Sequence, residues 1–365
     1  MRAATPEIPP TPESVSDNPL LLSTAIEAVV RAGDVMRARF GGDVRVDKKG
    51  QIDLVTEVDI AIEREFRAMI GGRFPDHAIL GEELGGSATV PPGPCWIFDP
   101  IDGTTNYAHG LPIYCSSLGL EVDGEVVVAA IYDPSRQELF TAEKGEGAWL
   151  NGDPLRVSAT DRLIDSLLVT GFPYDVRLRQ EELIAIFAAF LTEARAVRRL
   201  GSAAVDLCYV AAGRFDGFWE QHLKPWDVAA GSLIVTEAGG RMSRMDGTAF
   251  SVEAGSLLAS NGCLHGGMVR LIAAVQTTEL PRVDLVGAIG DADASVIDRQ
   301  AFDASGRFIM PTMLRERARI ADLAFFIGTG DTFEIWNPRL LIETPDIDEE
   351  LKEVVAALLK SRGAA

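Results

Sequence analysis

The stretch "SSLGLEVDGEVVVAAIYDPSRQELFTAEKGEGAWLNGDPLRV", residues 116–157, constrains the fold more than any other. Its apolar and polar residues alternate with the period-two pattern of strands that bury one face. The alternation breaks at Asp123-Gly124, Asp133-Pro134, Lys144-Gly145 and Asn151-Gly152. Dipeptides of this kind turn a chain back on itself. The segment therefore reads as an antiparallel meander, whose apolar face needs another layer to cover it.

The flanking sequence supplies that cover. "LLLSTAIEAVVRAGDVMRARF" (20–40) has helical spacing, as do the middle and end of "QIDLVTEVDIAIEREFRAMIGGRF" (51–74), which Gly71-Gly72 would close. "HAILGEEL" (77–84) reads as a short strand ending in two glutamates, and "CWIFDP" (95–100) as the next strand. Beyond the meander, "SLLVTGFP" (166–173) is strand-like and "QEELIAIFAAFLTEAR" (180–195) helical. "AVRRLGSAAVDLCYVAAGRFDGFWE" (196–220) reads strand, helix, strand. "PWDVAAGSLIVTEAGG" (225–240) is a helix starting at Trp226-Asp227 with a Gly-Gly C-cap, and "SLLASN" (256–261) a closing strand. Such alternation predicts one α+β unit of layered sandwich type over 19–275.

Residues 1–18 are proline-rich and polar without a signal peptide's apolar centre, and are expected to form a disordered tail of a cytoplasmic protein. A composition shift at 275–295 separates a segment spanning 276–365. Within it, 302–338 reads strand, short helix, two strands, and 346–365 a charged amphipathic helix.

Charge limits what the chain can bind. A formal net charge of -20 argues against a general nucleic-acid binder, but not against a small anion, because bound cations invert the local sign. The 4 cysteines lie far apart without a CxxC pair, so each is expected to be a small core residue in a reducing compartment. No apolar run reaches membrane-spanning length.

The chemistry concentrates in carboxylates at element ends. Glu82 and Glu83 follow one strand, Asp99 and Asp102 flank the end of another, Asp227 starts a helix, and Asp53 and Asp59 bracket "LVTEV". Taken singly, each is a common cap or solvated charge. Together, and without histidine or cysteine, they suit hard divalent cations such as Mg2+, with the Ile101 carbonyl as a further oxygen donor. Gly103-Thr104-Thr105 follows at once, a helix start whose backbone N–H groups face an anion. Metal ligands beside an anion cradle suggest phosphate-ester hydrolysis, with Thr104 hydrogen-bonded to the attacking water and a nearby carboxylate taking its proton.

"DPIDGTTNY" (99–107), "GEE" (81–83) and "PWDVAAG" (225–231) resemble the signature motifs of the inositol monophosphatase family. "KKGQIDLVTEVD" (48–59), "TGFPYD" (170–175) and "LGSAAVDLCYVAAGRFDGFWE" (200–220) are similar to its bacterial form, in the same order over about 20–275. The resemblance implies a layered αβαβα sandwich of the sugar phosphatase type, Mg2+ dependence, a phosphate-ester substrate and a homodimer. It further implies that Glu82, Asp99, the Ile101 carbonyl, Asp102 and Asp227 hold metal, and that Thr104, partnered by Asp59, activates water together with Glu82. Gly103 and Thr104 amides would bind phosphate. Ala203 and Glu220 would face the substrate's hydroxyls, with Asp102 and Asp227 orienting them. Lys48 or Lys49 would approach the phosphate or remain solvated. Lys224 stands where some animal members carry histidine. The expected activity is hydrolysis of myo-inositol 1-phosphate. Alternatives are relatives acting on fructose 1,6-bisphosphate, histidinol phosphate or phosphoadenosine nucleotides, or a regulator using the fold as a sensor.

The C-terminal segment is similar to one half of an MraZ-type, AbrB-like regulator over about 283–340, with Asp303 and Arg307 matching its Asp-x-x-x-Arg element. Residues 281–365 hold 10 Lys and Arg against 15 Asp and Glu, leaving Arg307, Arg315, Arg317 and Arg319 as the candidates for a DNA-binding edge. An oligomerising appendage or a relic is the favoured expectation over a DNA reader.

Overall fold

The computed structural model describes residues 19–42, 44–49, 54–85, 88–277, 325–328 and 333–336, with residues 342, 352 and 356. The chain divides into two compact units, Met1–Thr277 and Thr278–Ala365.

The first unit opens with helix α1 (Leu20–Arg39), a hairpin of β1 (Val46–Lys48) and β2 (Leu54–Thr56), and helix α2 (Glu57–Arg73). Then come β3 (Ala78–Gly81), β4 (Cys95–Asp102), the short α3 (Thr104–Ala108), β5 (Cys115–Val122), β6 (Glu125–Asp133), β7 (Glu138–Glu143), β8 (Gly147–Leu150) and β9 (Asp153–Pro154). These strands form a seven-stranded sheet in the order β3-β4-β5-β6-β7-β8-β9, antiparallel from β4 onward as the meander pattern predicts. The chain continues through β10 (Leu167–Thr170), α4 (Val176–Glu193), β11 (Ala196–Arg198), α5 (Ala203–Ala211), β12 (Gly217–Gln221), α6 (Pro225–Glu237), β13 (Arg241–Ser243), β14 (Ser256–Ser260) and α7 (His265–Thr277). Its strands make a second sheet in the order β11-β10-β12-β14-β13.

Three apolar clusters hold five structural layers together, the middle cluster spanning both faces of the α5 and α6 layer. Trp96, Phe98, Leu118 and Leu120 on one face of the large sheet pack with Val29 and Met36 of α1 and Ile62 and Phe66 of α2. Cys95, Ile97 and Ala129 on its other face pack with α5 and α6 and with Phe218 of β12. Leu168 and Trp219 on the far face of the small sheet join Phe190 of α4 and Met268 of α7. The result is the expected αβαβα sandwich. Side chains alternate along a strand. Asp99 therefore shares the middle layer with Cys95 and Ile97, and Glu220 shares it with Phe218.

Several local expectations are corrected. Helix α2 runs past Gly71-Gly72 to Arg73, because its end is closed by the Phe74 N–H on Ile70 rather than by a left-handed glycine. The β1–β2 hairpin was not anticipated; its strands are only three residues long, too short to show a period. Strand β4 does not end at Pro100 but continues to Asp102, with an irregular register between Asp99 and Asp102. Strand β3 stops at Gly81, so both glutamates stand in the following turn, and α6 begins one residue early at Pro225. Its C-cap is as read: Gly239 has φ of +85°, and the Gly239 and Gly240 N–H groups bond Thr236 and Val235 carbonyls. Cys95, Cys115 and Cys208 are buried, but Cys263 is exposed in the turn before α7.

In the second unit, β15 (Phe325–Gly328) and β16 (Phe333–Trp336) pair antiparallel, from Phe325 opposite Trp336 to Gly328 opposite Phe333. They are the last two strands read in 302–338. Asp303, Arg307, Arg315, Arg317 and Arg319, the 1–18 tail and Asp53 lie outside the described residues.

Helices α5 and α6 touch through Gly231, where a β-carbon would stand 2.4 Å from Leu207 Cδ1. Gly231→Leu should lower the unfolding free energy by about 1–3 kcal/mol in urea titration through overpacking. An unchanged midpoint would contradict this packing.

Candidate active site

Site residues arrive from both sheets and from four helices. Asp59 sits in the first turn of α2, where a capping box fixes it: the Thr56 hydroxyl accepts from the Val58 and Asp59 N–H groups, while Asp59 Oδ2 accepts from Thr56 N at 2.8 Å and Thr56 Oγ1 at 2.5 Å. The cap consumes Oδ2 and leaves Oδ1 to Thr104, whose hydroxyl lies 3.4 Å away. The same hydroxyl lies 2.9 Å from the Ile101 carbonyl, so that carbonyl is engaged by one of its two lone pairs.

Glu63, one turn further along α2, was missed by sequence reasoning. It is fully buried, pairs with Arg67 at 2.8 Å, and accepts the Glu83 and Leu84 N–H groups at 2.7 and 3.1 Å. Helix α2 thus presents two carboxylates four residues apart: Asp59 toward Thr104, and Glu63 under the Glu82–Leu84 turn. Gly81 is required there, because a β-carbon would meet Glu63 Oε1 at 2.1 Å. A buried acid in an amphipathic helix, with an arginine four residues on, was the available signal.

Asp102 binds across the molecule. Its Oδ2 accepts from Ser202 Oγ at 2.6 Å and from Ala204 N at 2.7 Å. Ala203 is the buried first residue of α5, beside this contact. Asn106, another residue without an assigned role in the sequence reading, donates to the Ile113 and Leu200 carbonyls at 2.8 and 2.9 Å and so ties the α3 turn to the same segment. Gly103, at the start of α3, has φ of +95° and faces the Ile113 carbonyl, positions only glycine fills comfortably. Asp227 Oδ2 accepts from Lys224 N at 2.6 Å at the start of α6. The Glu220 carboxylate lies over Gly171, where a β-carbon would stand 2.0 Å from Oε2. That explains the glycine of "TGFPYD".

Electrostatically the carboxylates form one group. Burial raises Asp99 well above the ordinary aspartate range, and Glu82, Asp102, Asp227 and Asp59 raise it further. Asp227 is raised by burial, then by Asp102 and Glu82. Burial lifts Asp59 and Asp102 to about 6 each, against their hydrogen bonds to Thr56 and to Ser202 and Ala204. Burial and Glu82 take Glu83 to about 7; burial takes Glu220 to about 8, against Arg199. Asp206, on α5, is likewise raised by burial and by Glu220.

Lys49 is not a solvated loop lysine. Its ammonium lies 2.5 Å from Glu82 Oε1 and 2.9 Å from Glu83 Oε1. Burial opposes its charge, but the two glutamates override this and hold it above its usual range. Lys48 is exposed.

Among the described residues no three His, Cys, Asp or Glu side chains stand as a ready-made metal group. Their oxygens are drawn to internal partners: Glu82 to Lys49, Asp102 to Ser202, and Asp227 to the Lys224 N–H. The donor set nevertheless fits a hard divalent cation. It is all oxygen, its charges raise one another's pKa, and Asp99 Oδ1 is buried without any hydrogen-bond partner.

Comparison with known proteins gives consistent results. The Inositol monophosphatase family matches residues 17–278. An inositol-1-monophosphatase of Synechocystis is 44% identical over 262 residues, covering 72% of this chain and 91% of that one. Nus factor SuhB of Escherichia coli is 41% identical over 243 residues, covering 66% and 91%. The solved inositol monophosphatase of Anabaena superposes with a TM-score of 0.63 at 40% identity, covering 70% of this chain and 96% of that one.

The raised Asp59 carboxyl sets a pH dependence. Its folded pKa of about 6 exceeds the ordinary value near 3.8, so its contribution to stability is complete below that value and is lost as pH rises through about 6. In metal-free protein, melting temperature measured from pH 4 to pH 7 should therefore shift in favour of Asp59→Asn over wild type as pH rises. A constant difference between the two proteins would show that Asp59 titrates normally.

Proposed function

Because this chain belongs to the inositol monophosphatase family and is a phosphomonoesterase of that family, we propose that it hydrolyses myo-inositol 1-phosphate or a closely related polyol phosphate with Mg2+ as cofactor. The observation that carries this reading is Asp99 Oδ1, bare and buried among the charges of Glu82, Asp102, Asp227 and Asp59. Glu82, Asp99, the Ile101 carbonyl, Asp102 and Asp227 would hold the cation. When bound, it neutralises phosphate charge and makes water more acidic.

The chain's own groups supply the rest. Asp59 Oδ2 is pinned by Thr56, so Oδ1 faces Thr104 in one orientation. The Thr104 hydroxyl donates to Asp59 and accepts from the attacking water, which aligns a lone pair of that water toward phosphorus. With its pKa lifted to about 6, Asp59 takes up a proton near neutral pH. The N–H groups of Gly103 and Thr104 lie before the first helical hydrogen bond of α3 and suit the phosphoryl oxygens. Glu220, half-buried on β12, and the α5 start at Ala203 border the space for the alcohol's hydroxyls, with Asp102 and Asp227 completing its polar wall. Lys49 would release Glu82 as the cation takes its place. The homodimer implied by the family belongs to this reading, and sedimentation of a monomer alone would remove it from the account.

Asp102→Asn should lower Mg2+-dependent phosphate release from myo-inositol 1-phosphate by about 100-fold or more, with the protein still folded by circular dichroism. Thr104→Val should lower kcat by about 100-fold while KM moves little, because it loses water orientation rather than binding. Wild-type turnover by either variant, or activity unaffected by a chelator, would refute the assignment.

A further inference from the structure

Every residue from Trp219 to His222 is held by the segment 170–182, which carries "TGFPYD" and the first turns of α4. Thr170 pairs with Trp219 across the parallel register of β10 and β12, and its hydroxyl donates to the Trp219 carbonyl at 2.8 Å. Gly171 gives the Glu220 carboxylate its space. The Gln221 amide is caught at both ends: its oxygen accepts from Arg179 Nη1 at 3.2 Å, and its nitrogen donates to Glu182 at 3.0 Å. The His222 ring completes the set, with Nδ1 3.1 Å from Asp175 Oδ2 and Nε2 against Arg179 Nη1.

His222 is the strained member. Its φ of +63° lies in the left-handed region, uncommon for a residue with a ring. The turn it makes ends β12 two residues after Glu220 and leads the chain to α6. Such strain persists only where the surroundings over-determine it. Two neighbours give up ordinary roles here. Asp175 stands at the N-cap of α4, where aspartate usually accepts from the helix's own N–H groups, yet its side chain makes no such bond. Arg179 leaves helical geometry, with φ of -132° and ψ of +17°. Arginine offers no acceptor, so Nε2 of His222 accepts, which leaves the Nδ1 proton facing Asp175.

Stability does not account for the clasp. The His222 and Asp175 side chains are 44% and 36% exposed, where a charged contact contributes little. What the clasp fixes is direction: it closes the segment 171–175 against the end of β12, with the Glu220 carboxylate between them over Gly171.

We propose that His222, clasped by Asp175 and Arg179, is a positioning residue that aims Glu220 at the substrate's alcohol, so that alcohols bearing hydroxyls are favoured over leaving groups without them. The inference rests on the phosphatase reading and on Glu220 bordering the alcohol. Asp59, Thr104 and Asp99 come from α2, α3 and β4, and Asp227 has its own contact with the Lys224 N–H. The role of His222 therefore shows in the choice of substrate, not in the hydrolytic step.

The test is steady-state kinetics on the full chain with Mg2+, comparing myo-inositol 1-phosphate with p-nitrophenyl phosphate, whose leaving group carries no further hydroxyl. His222→Gly keeps the left-handed backbone and removes the ring. It should lower kcat/KM for myo-inositol 1-phosphate about tenfold, mainly through KM, and leave p-nitrophenyl phosphate within about twofold. His222→Asn tolerates the same backbone and presents a donor to Asp175, so it should restore much of the loss. In a Glu220→Gln background, His222→Gly should cause little further loss, because the ring acts through that carboxylate. Wild-type kinetics of His222→Gly, an equal fall for both esters, or a loss that adds in full to that of Glu220→Gln overturns the positioning role alone. Wild-type kinetics of Glu220→Gln overturns the reading of Glu220, and this inference with it. Absence of turnover with both esters overturns the phosphatase reading itself.

Discussion

One hydrogen-bonded carboxylate joins the large sheet to the middle helical layer and underlies the rest of the candidate site. Asp102 leaves the end of β4, yet its Oδ2 is held by Ser202 Oγ and by Ala204 N at the start of α5, about 100 residues downstream. Burying a lone carboxylate is costly unless donors meet it. Here the first turn of a helix brings those donors, and their positive end faces the negative charge. Asn106 reinforces the same seam from α3 through the Leu200 carbonyl. With that seam fixed, Asp99 and Glu220 enter one layer from opposite sheets, and α6 brings Asp227 within electrostatic reach of both.

The same arrangement carries internal strain. Asp99, Asp227 and Asp206 all sit well above the usual aspartate range because burial, and then neighbouring carboxylates such as Asp102, oppose ionisation. A fold selected for stability alone would replace such groups with apolar ones. Their retention at one point, while α1, α2, α4 and α7 are packed on ordinary apolar faces, is the pattern expected where function overrides local preference. Lys49 offsets part of this repulsion by pairing with Glu82 and Glu83.

Much of this was legible in the chain. The period-two meander over 116–157 gave the antiparallel sheet its strands, and glycine pairs located the end of α6. The acidic residues at element ends pointed to the candidate site, and their ordered motifs located the family. Other features were not legible, for physical reasons. Whether Asp59 caps its helix or serves chemistry cannot be separated by spacing; the capping box uses one carboxylate oxygen and leaves the other toward Thr104, so the two roles are compatible. Glu63 sits on the apolar face of α2 and reads as a misplaced charge until the backbone it supports is seen. Gly81 and Gly171 read as turn residues, whereas each gives space to a carboxylate brought from a distant segment. The seam between Asp102 and Ser202 depends on tertiary approach alone, and the clasp around His222 joins segments with no common sequence signal.

The central claim is that these converging oxygens hold a divalent cation at Asp99. Calorimetric titration of Mg2+ into metal-free full-length protein, with Asp99→Asn beside it, tests this most directly. The account predicts saturable binding by the wild type near neutral pH, weakened at least about tenfold by Asp99→Asn. Equal binding by both proteins, or none by the folded wild type, would contradict it.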